Sequence, residues 1–139
     1  MSTGTKQCVG CMDYKPRTEF YISGKSEDGL NRYCMYCCKV NRSLEGVRKR
    51  DRRSKISFRQ RYRAKQLGLA CDDDITLAKV YRRARGICQG SYGCGKWVQP
   101  KHASIDHVMP MSKGGPHVWS NVQLMHLKCN LRKSYKEGD

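Results

Sequence analysis

Ile105–Gly115 reads IDHVMPMSKGG, and it sets a carboxylate and an imidazole side by side just ahead of a proline and a Gly-Gly pair. On a strand, neighbouring side chains point to opposite faces, so Asp106 and His107 can serve one centre only if the chain bends there. The following PMSKGG supplies an irregular loop that allows it. As an isolated dipeptide the pair is no more than a capped turn with a surface histidine. Its weight comes from what surrounds it.

Downstream, SNVQLMHLKCNLRKS places Asn121 before an apolar run, where its amide can pin the preceding loop. The segment CNLRKSYK reads as a short helix with Asn130 and Lys133 three residues apart on one face. Lys133 is expected to face phosphate. His126 and Cys129, two residues apart, complete a Cys3His set with Cys88 and Cys94. The five-residue gap between Cys88 and Cys94 is wider than an ordinary knuckle and leaves a different fourth ligand open. His102 belongs to a turn after Pro100, His117 to a loop that approaches DNA, and Trp97 and Trp119 to the core.

Upstream, CDDDITLAKVYRRARGIC has acids at its start and arginines at its end, the charge order that suits a helix macrodipole. Ile75, Leu77, Ala78, Tyr81 and Ala84 give it an apolar face, and Cys71 reads as a structural thiol. Before it, Lys39 to Lys65 carries twelve Lys and Arg against two Asp and Glu, with no proline and one glycine. That segment is expected to be helical and largely solvated or laid along phosphates, because Leu44, Val47, Ile56 and Phe58 are too sparse for a continuous apolar stripe. Arg48, Lys49, Arg50, Arg52, Arg53, Arg59, Arg61 and Arg63 are its candidate phosphate contacts.

At the front, CVGC and CMYC lie 22 residues apart and offer Cys8, Cys11, Cys34 and Cys37 as four thiolates for one tetrahedral Zn2+. Cys38 is the alternative to Cys37, which the shorter spacing favours. The stretch between the knuckles reads as a hairpin, with Phe20, Tyr21 and Tyr33 packed against the metal core.

Composition agrees with this division. The chain has 139 residues, 38% of them hydrophobic, and nine cysteines, so its apolar core is small and metal ions supply the missing cohesion. The N-terminal MSTGTKQCVG lacks the apolar run of a secretion signal, so the thiols are expected in a reducing, intracellular setting. A formal charge of +16 makes nucleic acid the expected partner. A membrane is not expected: the basic segments lack an insertable apolar face, and no stretch is apolar enough to span.

The combination of IDHVMPMSKGG with SNVQLMHLKCNLRKS resembles the HNH endonucleases, especially small phage-type enzymes in which zinc knuckles brace a ββα-metal motif. The N-terminal KQCVGC…CMYC is similar to the zinc finger of some phage recombination endonucleases. The resemblance implies that His107 is the general base, that Asp106 and Asn130 hold a catalytic Mg2+ or Mn2+, and that Asn121 fixes the loop and the His107 ring. An Asn in the last position of the motif, rather than His, suits a hard cation.

The expectation is therefore a small, metal-stabilised α+β protein: a zinc finger over 1–40, a basic helical linker over 41–70 and an HNH nuclease domain over 71–139. Two structural Zn2+ support it, and a separate divalent ion serves DNA nicking, in the cytoplasm, that of a phage-infected host included. A monomer suits nicking. A zinc-finger regulator that binds DNA without cutting it, and a resolvase of branched DNA, are the alternatives.

Overall fold

The computed structural model describes residues 4–137, and the chain separates into two compact units, 1–42 and 43–139. Both helices and short antiparallel strands are present, so the protein is α+β. Among the described residues no helix is long and apolar enough to cross a membrane.

The first unit is built from two hairpins. Strand β1 (Thr5–Gln7) pairs antiparallel with β2 (Tyr14–Pro16), and β3 (Phe20–Ile22) with β4 (Leu30–Cys34). Between β1 and β2 the chain turns tightly, with Met12 N–H donating to the Cys8 carbonyl at 2.8 Å. Gly10 is needed in that turn, because a Cβ there would lie 2.9 Å from the Cys37 sulfur. Cys8, Phe20, Cys34 and Cys37 form the buried centre, with Cys11, Leu30, Tyr33 and Tyr36 packed on it. Tyr21 departs from expectation: it is 41% exposed and lies within cation–π range of Arg42 rather than in the core. Alternation along β3 turns its ring away from the face that Phe20 buries.

The basic segment forms two helices, α1 (Met35–Ser54) and α2 (Ile56–Gln66), broken at Lys55 in a left-handed conformation. Its expected solvation is only half right. Val40, Leu44 and Val47 follow an i, i+4, i+7 spacing and are all buried, so a narrow stripe suffices where neighbouring elements cover it. Phe58 and Tyr62, by contrast, stack on each other and stay exposed. The Asp51 carboxylate accepts from the Ser57 backbone N–H at 2.7 Å and from the Ser57 hydroxyl, holding the break. The same hydroxyl accepts from Leu77 N–H at 2.9 Å, which ties the start of α2 to the start of α3 (Leu77–Arg83). Helix α3 is shorter than its charge pattern suggests. Thr76 caps it, so the acids at 72–74 lie ahead of it rather than in its first turn.

The second unit ends in a hairpin followed at once by a helix. Strand β5 (Ala103–His107) pairs antiparallel with β6 (Val122–His126) in unbroken register from Ala103↔His126 to His107↔Val122, and α4 (Leu127–Glu137) follows. Helices α2, α3 and α4 all touch β5, whose five residues are all buried. Ile75, Leu77, Val80, Tyr81, Val98, Ile105 and Leu124 are among the buried core residues of this unit. The fully buried Tyr81 satisfies its hydroxyl on the Val98 carbonyl at 2.6 Å, as a phenol in an apolar interior must.

Candidate active site

The strand β5 ends at His107, and a cavity of about 370 Å³ opens there, lined among others by Asp106, His107, Asn130, Lys133 and Arg63. The alternation of a strand still applies: the two neighbours have different partners, yet both reach a cavity placed at the strand's end. Asp106 meets Lys133 Nζ, at 2.9 Å from Oδ2 and 3.2 Å from Oδ1, and its Oδ2 also accepts from Gln123 Nε2 at 2.8 Å. The His107 ring meets a second imidazole, with Nε2 2.9 Å from Nδ1 of His117. Among the described residues His107 Nδ1 has no protein hydrogen bond. Burial, the His117 ring and the Arg63 and Lys133 cations together pull the His107 pKa down to about 4, so the ring is neutral near pH 7.

His117 was expected in an open loop beside DNA; instead it is fully buried. Its backbone bridges to the Cys71 segment, donating to the Ala70 carbonyl and accepting from Asp72 N–H, which draws the ring under His107. Burial and the Arg61 cation lower its pKa as well. Nothing in GGPHVW signals this burial, because the Cys71 segment to which His117 bridges lies over forty residues upstream.

The loop between the two strands is clamped by Asn121. Its Oδ1 accepts from Met109 N–H at 2.8 Å, and its Nδ2 donates to the carbonyls of Met109 at 3.0 Å and Pro116 at 2.8 Å. Those bonds run to the loop backbone; none of them reaches the His107 ring. Gly115 is required in the same loop, since a Cβ there would fall 1.8 Å from the Met109 carbonyl oxygen.

Helix α4 brings Asn130 and Lys133 to one face, as their spacing predicts. Asn130 Nδ2 points to Ser104 Oγ at 3.4 Å and the Ile105 carbonyl at 3.5 Å, which leaves its Oδ1 as a donor for a cation. Lys133 is not the exposed cation that its expected phosphate contact assumed. It is 5% exposed and its ammonium is spent on Asp106 and on the carbonyls of His107 at 2.6 Å and Val108 at 3.3 Å. Two further cations expected to contact phosphate each commit a donor internally: Arg50 to the Ala103 carbonyl at 2.7 Å and Arg61 to the Ile75 carbonyl at 3.0 Å. Arg48, Lys49, Arg52, Arg53, Arg59 and Arg63 are exposed, Arg52 in an ion pair with Glu45. A second cavity, lined by Arg50, Arg59 and Asn130, shares Gln60, Ile105 and Asn130 with the first and extends it.

Both expected sulfur clusters come together. In Cys8, Cys11, Cys34 and Cys37, and again in Cys88, Cys94, His126 and Cys129, the ligand atoms lie within 4.8 Å of one another, so each set can hold a metal ion. Gly10 and Cys34 N–H groups donate to the Cys8 sulfur at 3.2 Å. Burial disfavours a Cys8 thiolate, but those bonds outweigh it and bring the pKa to about 6. Cys38 lies outside the set, its sulfur 3.7 Å from the Tyr33 carbonyl. In the second set His126 Nε2 lies 3.2 Å from the Trp97 carbonyl, which can only accept. The ring proton therefore sits on Nε2, and the Nδ1 lone pair faces Cys94 at 3.4 Å as a ligand requires.

This hairpin and helix, together with the Cys88 and Cys94 segment ahead of them, make up the stretch that a family comparison selects: residues 88–136 match the model for HNH endonuclease. That segment, and not the chain as a whole, is similar to an HNH endonuclease domain. No curated protein matches the chain. The HNH segment contains Asp106, His107, Asn121, Asn130 and Lys133, while Arg59 and Arg63 on α2 reach the same cavities from outside it.

Proposed function

We propose that the chain is a metal-dependent DNA endonuclease that nicks one strand of a duplex, with His107 as general base. The observation that carries this reading is that Asp106, His107, Asn130 and Arg63 line one cavity although they come from β5, α4 and α2. Phosphodiester hydrolysis needs a base for the attacking water and positive charge where the leaving oxygen develops. The neutral His107 ring provides the first through Nδ1, the nitrogen left open by the bond to His117. For Nδ1 to accept a proton, the ring's own proton must sit on Nε2 and be donated to His117 Nδ1.

The oxygen donors Asp106 and Asn130 suit a hard cation that keeps most of its coordination for water and substrate phosphate. Mg2+ or Mn2+ held there would supply Lewis-acid stabilisation of the developing charge. Asn121 keeps the loop after His107 in place, and exposed Arg63 offers a guanidinium to the scissile strand. The two closed, sulfur-rich sets suit structural Zn2+ rather than catalysis, since four protein ligands leave no position for water.

A plasmid-nicking assay with and without added Mg2+ tests the reading. Wild-type protein should convert supercoiled to open-circular DNA only with Mg2+. His107→Ala should abolish that conversion while zinc content and DNA affinity stay unchanged. Equal cleavage by His107→Ala refutes the assignment, and DNA binding without cleavage by the wild type leaves a zinc-finger DNA binder.

A further inference from the structure

Lys133 enters the site from α4 and ends with every donor in use. An ammonium has three N–H groups; here they face the Asp106 carboxylate, the His107 carbonyl and the Val108 carbonyl. Acid and ammonium are both about 5% exposed, so water competes little for the pair. Asp106 is the only acid among the described residues lining the cavity, whereas Lys133 and Arg63 both bring positive charge. A divalent ion approaching the free protein therefore meets a carboxylate already neutralised at contact distance, inside a cavity that is cationic on balance. DNA phosphates reverse that balance by adding negative charge.

We propose that Lys133 is the place-holder of the cation site: it keeps Asp106 charge-balanced in the absence of metal and makes divalent-ion loading depend on a nucleic-acid phosphate in the cavity. The inference rests on Asp106 being a ligand of the catalytic cation. Binding free energies are reciprocal, so the cation must tighten DNA binding by the factor by which DNA tightens cation binding. Without Lys133 the carboxylate is open to a cation directly, and the free protein should bind one well.

Mn2+ binding to the zinc-loaded full chain, followed by the electron-paramagnetic-resonance signal of free Mn2+, tests this with no turnover involved. A His107→Ala background keeps a short DNA duplex intact. In that background Mn2+ should bind weakly alone and tighten about tenfold or more with the duplex. Adding Lys133→Met should tighten Mn2+ binding about tenfold or more without DNA and shrink the effect of the duplex. Adding Asp106→Asn should remove the site. Stripping the counter-ion from a buried carboxylate destabilises the fold, so Lys133→Met should melt earlier in manganese-free buffer and recover with Mn2+ more than its parent does.

Mn2+ affinity unchanged by Lys133→Met, a misfolded variant that Mn2+ fails to rescue, or insensitivity to Asp106→Asn would each overturn the proposal. Failure of the wild type to cut plasmid would instead remove the nuclease reading and leave these binding results to stand by themselves.

Discussion

Asn121 holds the loop that follows His107 through three hydrogen bonds to main-chain atoms of Met109 and Pro116. Truncation to alanine removes all three. A net hydrogen bond contributes about 1 kcal/mol; the two to Met109 are solvent-exposed, where water replaces them in part, and the one to Pro116 is half-buried. The loss in stability should therefore be about 1–2 kcal/mol rather than the full sum. Catalysis should suffer more, because loosening the loop lets His107 and its cavity drift, and a displacement of about 1 Å can cost on the order of a hundredfold in rate.

Asn121→Asp sharpens the test. Its carboxylate still accepts from Met109 N–H but sets a second negative oxygen against the carbonyls of Met109 and Pro116, so it should be less stable than Asn121→Ala despite its near-identical shape. Guanidinium unfolding at fixed zinc gives the stabilities, and nicking rates give the catalytic effect. An aspartate variant as stable as wild type would refute the clamp, as would an alanine variant with an unchanged nicking rate.

Cys37→Ser should lower the bound zinc from two ions to one by elemental analysis, whereas Cys38→Ser should retain both, since only Cys37 lies in a ligand set. Arg63→Ala should weaken DNA binding without changing the fold and lower the slope of log affinity against log salt by about 1, read by fluorescence anisotropy at several salt concentrations. His107 has a folded pKa of about 4 against about 6.5 for an unfolded imidazole, so the unfolded chain binds more protons between those values. Its contribution to stability is complete above pH 6.5 and is lost as pH falls toward 4; His107→Gln should flatten that part of the pH–stability curve, with His117, shifted in the same direction, accounting for a remaining slope.

The close pairs within the two clusters that can hold a metal ion were legible because their geometry is local. A Cys-x2-Cys turn brings two sulfurs together wherever it occurs, and Cys34, Cys37, His126 and Cys129 sit where a strand passes into a helix. The Asp106–His107 pair and the shared face of Asn130 and Lys133 were legible for a similar reason, strand or helix spacing within a few residues, whereas the Asn121 clamp reaches back twelve residues to Met109. What Lys133 does was not legible. Helical periodicity places it beside Asn130, yet whether a lysine there meets phosphate or a carboxylate depends on β5, which lies more than twenty residues away.

The same limit applies to the basic segment and to His117. Composition marks 39–65 as helical and cationic, but it does not separate the exposed Arg59 and Arg63 from Arg50 and Arg61, which bind main-chain carbonyls of distant elements. Nor does it show that Leu44 and Val47 are covered. By itself the sequence determined the charge, the close pairs of candidate ligands and the order of the candidate site residues, all of which are read along the chain. Tertiary structure alone decided which of those residues face the cavity and which are neutralised inside it, because burial and counter-ion pairing are set by segments that meet only when the chain folds.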